Sequence, residues 1–285
     1  MTAPSPTPPT TTRRALSATD AEVIRRVVHE RTGITLGDDK EYLITARLRP
    51  VVVASGLGSL GELVASLRTD PPPALVGMVV DALVINETSF FRDVHPFVGL
   101  KDHVLPDLIE RRRRDRMLTI WCAAASSGQE PYTIAMILAD QFPELAGWTV
   151  RLLATDVSST MVARGRRGIF SGVEVARGLP PVLRQRHLAP AGEGWQVSPA
   201  LRRAVQFEQH NLAGSWDVIP RCDIVFLRNV LIYFDPAVTR RVLLKARGRL
   251  AEDGYLALGG AETTVGTDTP FRRVTLGRSA WYRPS

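Results

Sequence analysis

Three stretches of this chain put polar side chains where an α/β protein would hold a small molecule. The first is Trp121-Cys122-Ala123-Ala124-Ala125-Ser126-Ser127-Gly128-Gln129-Glu130-Pro131-Tyr132. An apolar run over 118–123 leads into it and a helical pattern over 129–141 leaves it. It is therefore a strand-to-helix turn, and open α/β sheets bind ligands outside the carboxyl ends of their strands. Its small residues let a ligand approach the backbone closely. It lacks G-x-G-x-x-G, so it matches a dinucleotide phosphate loop poorly, and with no lysine after Gly128 it is not a P-loop. An adenosyl ligand without phosphates needs such a turn but no pyrophosphate cradle. Glu130 can accept hydrogen bonds from a ligand amine; a tight turn carrying a solvated glutamate is the plainer alternative.

The second stretch ends a strand over 149–154 in Ala154-Thr155-Asp156. A carboxylate there is placed to accept both hydroxyls of a ribose, and it can also cap the helix predicted over 158–166. The third is Phe226-Leu227-Arg228-Asn229-Val230-Leu231-Ile232-Tyr233-Phe234-Asp235, in which a polar pair interrupts an apolar run at a strand end. Burying Arg228 and Asn229 there is costly unless a ligand or a polar network satisfies them. Upstream, Asn86-Glu87-Thr88-Ser89-Phe90-Phe91-Arg92-Asp93 reads either as a polar linker with an aromatic plug or as a segment folding over the crevice. The five histidines are scattered and no Cys/His cluster has metal-ligand spacing, so no metal site is expected.

The elements that position these residues fall into regions. A Pro/Thr/Ser-rich leader over 1–16 is expected to be disordered. From 17 to 84 the pattern is helical: a capping box at Thr19-Asp20-Ala21-Glu22 with a helix ended by Gly33, a helix over 39–55 that Pro50 should end or kink, a box at Ser59-Leu60-Gly61-Glu62 opening a third helix to Arg68, and a fourth over 74–85. A linker and helix occupy 85–115. From 116 to 285 short strands alternate with helices, which implies parallel crossovers and a doubly wound sheet; the series resumes with a strand over 223–227, a helix over 236–250 and a strand over 254–258. The tail from Phe271 to Tyr282, alternating around Gly277, reads as a terminal antiparallel hairpin. Gly- and Pro-rich 167–207 breaks the rhythm and reads as an inserted β-lobe with short strands at 195–197 and 204–207.

Composition narrows the class. The chain of 285 residues carries Lys+Arg 36 against Asp+Glu 29, a net charge of +7, and only Lys40, Lys101 and Lys245 are lysines. That balance favours an acidic partner without choosing among nucleic acid, lipid or protein. The run Arg111-Arg112-Arg113-Arg114 is read as a solvated helix end, where cations suit the macrodipole. Cys122 and Cys222 are read as buried free thiols of a reducing cytoplasm. No run is long and apolar enough to span a bilayer, and the N-terminus has no apolar core of a secretory signal.

Taken in order and at their separations, N-E-T-S-F-F-R-D, W-x-A-A-A-S-S-G-Q-E-P-Y-T-I-A, L-L-A-T-D-V-S, F-L-R-N-V-L-I-Y-F-D and L-G-G-A-E-T resemble the CheR-type chemotaxis receptor methyltransferases over about 17–282. The resemblance implies a class I methyltransferase fold, S-adenosylmethionine as methyl donor with S-adenosylhomocysteine as product, and esterification of glutamates on the cytoplasmic domains of methyl-accepting chemotaxis receptors. It places Asn86, Thr88 and Arg92 beside the cofactor, Glu130 at its methionyl end, Asp156 at the ribose, Asn211 and Leu212 about the adenine, and Arg228 with Asn229 near the methionyl part. Arg92 or Tyr233 would orient the acceptor carboxylate. Arg47 and Arg49, on a basic helix, would dock the receptor. One departure stands out: members that tether to a receptor's C-terminal peptide use a longer loop on the inserted lobe, whereas His187-Leu188-Ala189-Pro190-Ala191-Gly192-Glu193-Gly194-Trp195 is compact, so no tether is expected. A cytoplasmic monomer that binds neither nucleic acid nor membrane is the expectation. The rival readings are a nucleic-acid methyltransferase, against which the third stretch lacks N-P-P-[YF], and a non-catalytic cofactor-binding module.

Overall fold

The computed structural model describes residues 16–37 and 41–285. The leader expected over 1–16 lies outside them except for Leu16, as does the start, at 39 and 40, of the second expected helix. The first helix, α1 (Ala18–Thr32), is capped by Ser17 and not by the Thr19 box. The Ser17 hydroxyl accepts the Asp20 N–H at 3.1 Å and donates to the Asp20 carboxylate at 2.8 Å, leaving Thr19 inside the helix. Gly33, at φ +75°, ends it and returns its N–H to the His29 carbonyl. Helix α2 (Glu41–Ala54) continues past Pro50 and does not end there. Pro50 and Ala46 are both exposed, so water takes the carbonyl that the missing N–H leaves free. Helix α3 (Leu60–Arg68) starts at the Ser59 box, with the Glu62 N–H on Ser59 Oγ at 3.2 Å, and α4 (Pro73–Leu83) follows.

Two compact units result. One comprises the described residues up to Val27 with Gly37–Leu83; the other comprises Val28–Leu36 with Val84–Ser285. In the first, Leu48, Leu63 and Val79 are fully buried.

The second unit is built on a seven-stranded sheet. Its strands are β1 (Met117–Cys122), β2 (Thr149–Asp156), β6 (Val205–Gln209), β7 (Cys222–Leu227), β8 (Leu250–Leu258), β9 (Phe271–Leu276) and β10 (Ser279–Pro284). They are ordered β6-β2-β1-β7-β8-β10-β9. The first five are parallel; β10 is antiparallel to β8, and β9 pairs antiparallel with β10. This is the doubly wound sheet with a terminal hairpin that the class I methyltransferase fold requires. Alternate residues of each central strand enter different cores. Ile120, Cys122, Ile224 and Phe226 join one cluster, and Trp121, Val225, Leu227 and Leu256 the other, as expected when helices cover both faces.

The inserted lobe is a three-stranded antiparallel sheet of β3 (Ile169–Ser171), β4 (Leu188–Ala191) and β5 (Gly194–Val197). The strand expected to close it at 204–207 is instead β6, the edge of the central sheet, parallel to β2 from Val205 opposite Leu152 to Gln209 opposite Asp156. Sequence periodicity reports that a segment is extended, not which sheet it joins.

The arginine run is corrected at Arg112 alone, since Arg111, Arg113 and Arg114 are exposed as expected. Arg112, expected to be solvated, sends Nε to Asp223 at 2.8 Å and Nη1 and Nη2 to Asp253 at 2.9 and 2.6 Å. It thereby ties the end of helix α6 (Leu105–Arg111) to the start of β7 and to β8. These carboxylates raise its pKa further. Arg111 pairs with Asp107 at 3.0 Å. Among the described residues, no helix is long and apolar enough to cross a membrane.

Candidate active site

The turn after β1 is fixed by its neighbours. The Ala123 N–H donates to the Phe226 carbonyl of β7 at 2.8 Å, and the Ala125 N–H to the Thr155 carbonyl of β2 at 2.9 Å. Beneath it the Trp121 indole N–H donates to Thr155 Oγ1 at 3.0 Å. Ser126 sits at φ +49°, which turns its N–H onto Asp156 Oδ2 at 2.8 Å and its hydroxyl onto the Asn86 carbonyl at 2.8 Å. Gly128, at φ +102°, opens helix α7 (Gln129–Gln141), and a Cβ there would lie 2.9 Å from the Phe207 ring. Glycine is therefore required by both backbone conformation and space.

Asp156 is not the cap of the helix that follows. Ser158 caps α8 (Ser159–Arg167), accepting the Met161 N–H at 3.1 Å. Asp156 Oδ1 instead accepts the Ser158 N–H at 2.9 Å. The carboxylate is thus aimed by two backbone donors, and each of its oxygens can accept more than one hydrogen bond.

At the end of β7, Arg228 is buried, its side chain only 1% exposed. It donates to Glu130 Oε2 at 2.8 Å, to Asp93 Oδ2 at 2.7 Å and to the Arg92 carbonyl at 2.9 Å, while its Nε has no partner among the described residues. Burial pushes the Glu130 carboxyl up, against the pull of Arg228. The Cys122 thiol beside it is pushed well up by burial and by Glu130, and stays protonated. Asn229 occupies the left-handed region at φ +56°. Glu262 holds it there. One carboxylate oxygen accepts the Asn229 and Gly259 N–H groups at 2.7 and 2.6 Å, and the other those of Val230 and Leu231 at 2.8 and 2.7 Å.

These pieces line one cleft enclosing about 810 Å3, its open mouth included. Asn86, Thr88, Arg92, Glu130, Asp156, Asn211, Leu212, Arg228, Asn229 and Tyr233 all reach it. Their parts differ from the sequence expectations in places. The Asn211 amide is partly used within the protein, donating one N–H to the Arg31 carbonyl and accepting the Ala213 N–H at 2.9 Å, which fixes its orientation at the cleft. The Tyr233 phenol is pushed up by burial, with Arg92 pulling it down. Arg47 and Arg49 lie elsewhere, on α2.

Sequence reasoning missed three participants. Glu262 belongs to L-G-G-A-E-T but carried no role, because three of its four backbone partners, Asn229, Val230 and Leu231, are distant in sequence. Ser126 carried no signal beyond being small. His210 lines the cleft edge-on to Trp121 and Trp216, both at 6.1 Å between ring centres, with Nε2 buried and without a partner among the described residues. Burial lowers its pKa and keeps the ring neutral near pH 7. Its place in Q-H-N-L was the available clue.

The donor set narrows what fits. Three carboxylates, Glu87, Glu130 and Asp156, line the cleft against two arginines, Arg92 and Arg228, the second already paired with Glu130 and Asp93, so carboxylates are in excess there. That arrangement repels phosphates and suits an ammonium and a ribose, the two ends of S-adenosylmethionine. Two family models agree with this geometry: residues 19–84 match the CheR methyltransferase all-alpha domain, and residues 86–279 the CheR methyltransferase SAM binding domain. The chain belongs to the CheR methyltransferase family. It is similar to the chemotaxis protein methyltransferase Cher2 of Pseudomonas putida, 40% identical over 90% of this chain and 94% of that protein. Chemotaxis protein methyltransferase 1 of Pseudomonas aeruginosa is also 40% identical, over 93% of this chain and 97% of its own. Chemotaxis protein methyltransferase 1 of Vibrio cholerae is 37% identical over 90% and 94% respectively. This CheR-family chain is thus an S-adenosylmethionine-dependent methyltransferase.

Proposed function

We propose that this CheR-family enzyme transfers the methyl group to glutamate side chains on the cytoplasmic domains of methyl-accepting chemotaxis receptors, forming methyl esters and working as a cytoplasmic monomer. The observation that supports the reading is that the carboxylates lining the cleft are all engaged. Among the described residues, Glu87 pairs with Arg177, Glu130 with Arg228, and Asp156 accepts two backbone N–H groups. Such a site suits an acceptor that arrives already ionised, as glutamate does with a reference pKa of about 4.3. The S-adenosylmethionine that fits the cleft supplies an electrophilic sulfonium methyl. Glu130 receives its ammonium, Asp156 its ribose hydroxyls, and the small turn 123–126 packs against it. Arg92 and Tyr233 hold the incoming carboxylate in line, and the 86–94 segment excludes water, which would otherwise stabilise the separated charges more than the transition state. The test is incubation with tritiated cofactor and a chemoreceptor cytoplasmic fragment. Base-labile counts released as methanol are expected; base-stable counts would overturn the assignment.

Asp156→Ala is expected to weaken S-adenosylmethionine binding tenfold or more by calorimetry, since charged hydrogen bonds to two hydroxyls contribute about 1.5–3 kcal/mol. It should also lower the melting temperature, because the Ser126 and Ser158 N–H groups lose their acceptor. An unchanged Kd would remove Asp156 from the ribose site.

For receptor docking the two arginines of α2 divide. Arg47 donates to the Leu83 carbonyl at 3.2 Å, closing the last turn of α4. Arg49 shares a helical face with Tyr42 and Val53, which are 80% and 79% exposed. Arg49→Glu should slow receptor methylation about threefold at low salt and flatten its salt dependence, with cofactor affinity unaltered. Equal rates and salt response in both proteins would exclude this face. The β4–β5 turn holds only Gly192 and Glu193, between the paired Ala191 and Gly194, which supports a lobe without a tethering loop. A receptor fragment lacking its C-terminal residues should therefore be methylated at the same rate; micromolar binding of that C-terminal peptide would overturn the point.

A further inference from the structure

A second cavity, enclosing about 940 Å3 with its open mouth, lies between the end of β8, the following Gly259 and Gly260, and the β9–β10 hairpin. Its charged and titratable lining comprises Asp93, His95, Glu262, Arg273, Arg278 and Tyr282. Both carboxylates are committed. Asp93 accepts from Arg228 at 2.7 Å, and Glu262 accepts four backbone N–H groups. The exposed Arg273 and Arg278 side chains have neither a hydrogen bond nor an ion pair among the described residues, and neither is named among those with further partners. They are held on a paired frame: Arg273 lies opposite Tyr282 in the hairpin, and Arg278 follows Gly277 in its turn. Two unneutralised guanidinium groups on a concave wall focus positive potential into it, and their forked donors match carboxylates.

The cavity also abuts the transfer site. Asp93 and Glu262 reach the second cavity, and they hydrogen bond the Arg228 side chain and the Asn229 backbone, which line the cofactor cleft. An acceptor at the cofactor cleft would thus carry its neighbouring residues past this wall.

We propose that this cavity is a substrate subsite that binds carboxylates flanking the acceptor residue in an acidic protein segment, with Arg273 and Arg278 as its specificity-determining residues. The proposal rests on the glutamate-methylating reading above. The half-exposed Asp93 at the wall disfavours a multiply charged phosphate relative to a singly charged carboxylate.

The test uses the full-length protein carrying Arg273→Ala and Arg278→Ala. Neither side chain has a partner among the described residues, so the fold and the cofactor Kd should be retained. The KM for a chemoreceptor cytoplasmic fragment should rise about tenfold, as the loss of two ion pairs implies, with kcat within twofold. Binding of a fluorescent oligoglutamate peptide, read by anisotropy, should weaken in parallel, and the Arg273→Lys, Arg278→Lys variant should keep most of both. Unchanged KM and peptide affinity would overturn the subsite, as would a parallel loss of cofactor affinity. Tripolyphosphate displacing the peptide at lower concentration than free oligoglutamate would also overturn it, in favour of a phosphate site. A wild-type protein that deposits no base-labile methyl groups would sink the glutamate reading, while the peptide measurement would still judge the subsite.

Discussion

Arg228→Met should destabilise the enzyme by about 3–5 kcal/mol at neutral pH and lower methyl transfer by about a hundredfold or more. Among the described residues it is the one cation that hydrogen bonds Glu130, and both side chains are buried. Removing a partner from a buried pair leaves the other charge uncompensated, which costs more than the pair itself contributes. Methionine fills much of the volume but also strands Asp93 and the Arg92 carbonyl, so the segment over the cleft loosens. The deficit should depend on pH with a definite sign. The folded Glu130 carboxyl already lies above its ordinary value of 4.5. A group raised in the fold contributes stability that is whole below its unfolded pKa and is lost as pH rises through its folded pKa. Without Arg228 the folded value climbs further. The variant should therefore be most deficient at neutral pH and above, and should approach the parent as pH falls toward the ordinary glutamate range. Urea unfolding at pH 7.5 and pH 5 measures this, and Arg228→Met with Glu130→Gln should recover a large part of the loss. Equal deficits at both pH values and no coupling between the two substitutions would refute the account.

Glu262→Gln should be nearly as damaging, although it changes only one oxygen into an amide nitrogen. Each carboxylate oxygen accepts two backbone N–H groups: Asn229 and Gly259 on one, Val230 and Leu231 on the other. Whichever way the amide turns, its NH2 faces two donors. Losing charged hydrogen bonds, at about 1.5–3 kcal/mol each, and adding donor–donor repulsion should together cost about 3–5 kcal/mol. Asn229 should then leave its left-handed conformation, and cofactor affinity should fall at least tenfold. Glu262→Asp keeps the charge but shortens the reach, so it should be milder in the melting temperature than the glutamine variant. A glutamine variant with parental melting temperature and cofactor Kd would show that the backbone turn stands without Glu262.

Much of the cleft was legible from sequence because a parallel sheet collects its strand ends on one edge. Once 118–123, 149–154 and 223–227 are read as successive strands, Glu130, Asp156 and Arg228 must converge there, whatever the details of packing. The resemblance extended this to Asn86, Thr88, Arg92, Asn211 and Leu212, which no periodicity would have grouped. Local caps were legible where one candidate existed, as at Ser59. The choice failed at α1, where Ser17 and Thr19 both stand near the start and tertiary fit selects the former.

By itself, then, the sequence determined what is encoded within a few residues: strand–helix alternation, the small-residue turn, the polar pair ending an apolar run, and the charge excess with its arginine bias. The tertiary structure alone decided every pairing between residues far apart in the chain. Arg112 was a solvated helix end until Asp223 and Asp253 were brought to it. The segment 205–209 was an extended strand without an address until β2 offered an edge. Asp156 could cap a helix or meet a ligand until the Ser126 N–H, thirty residues away, was brought to its carboxylate. Glu262 was one polar letter in a glycine-rich string until four backbone N–H groups converged on it. Propensity and periodicity act through neighbouring bonds, whereas an ion pair or a carboxylate accepting distant amides exists only after the fold has closed the intervening loop.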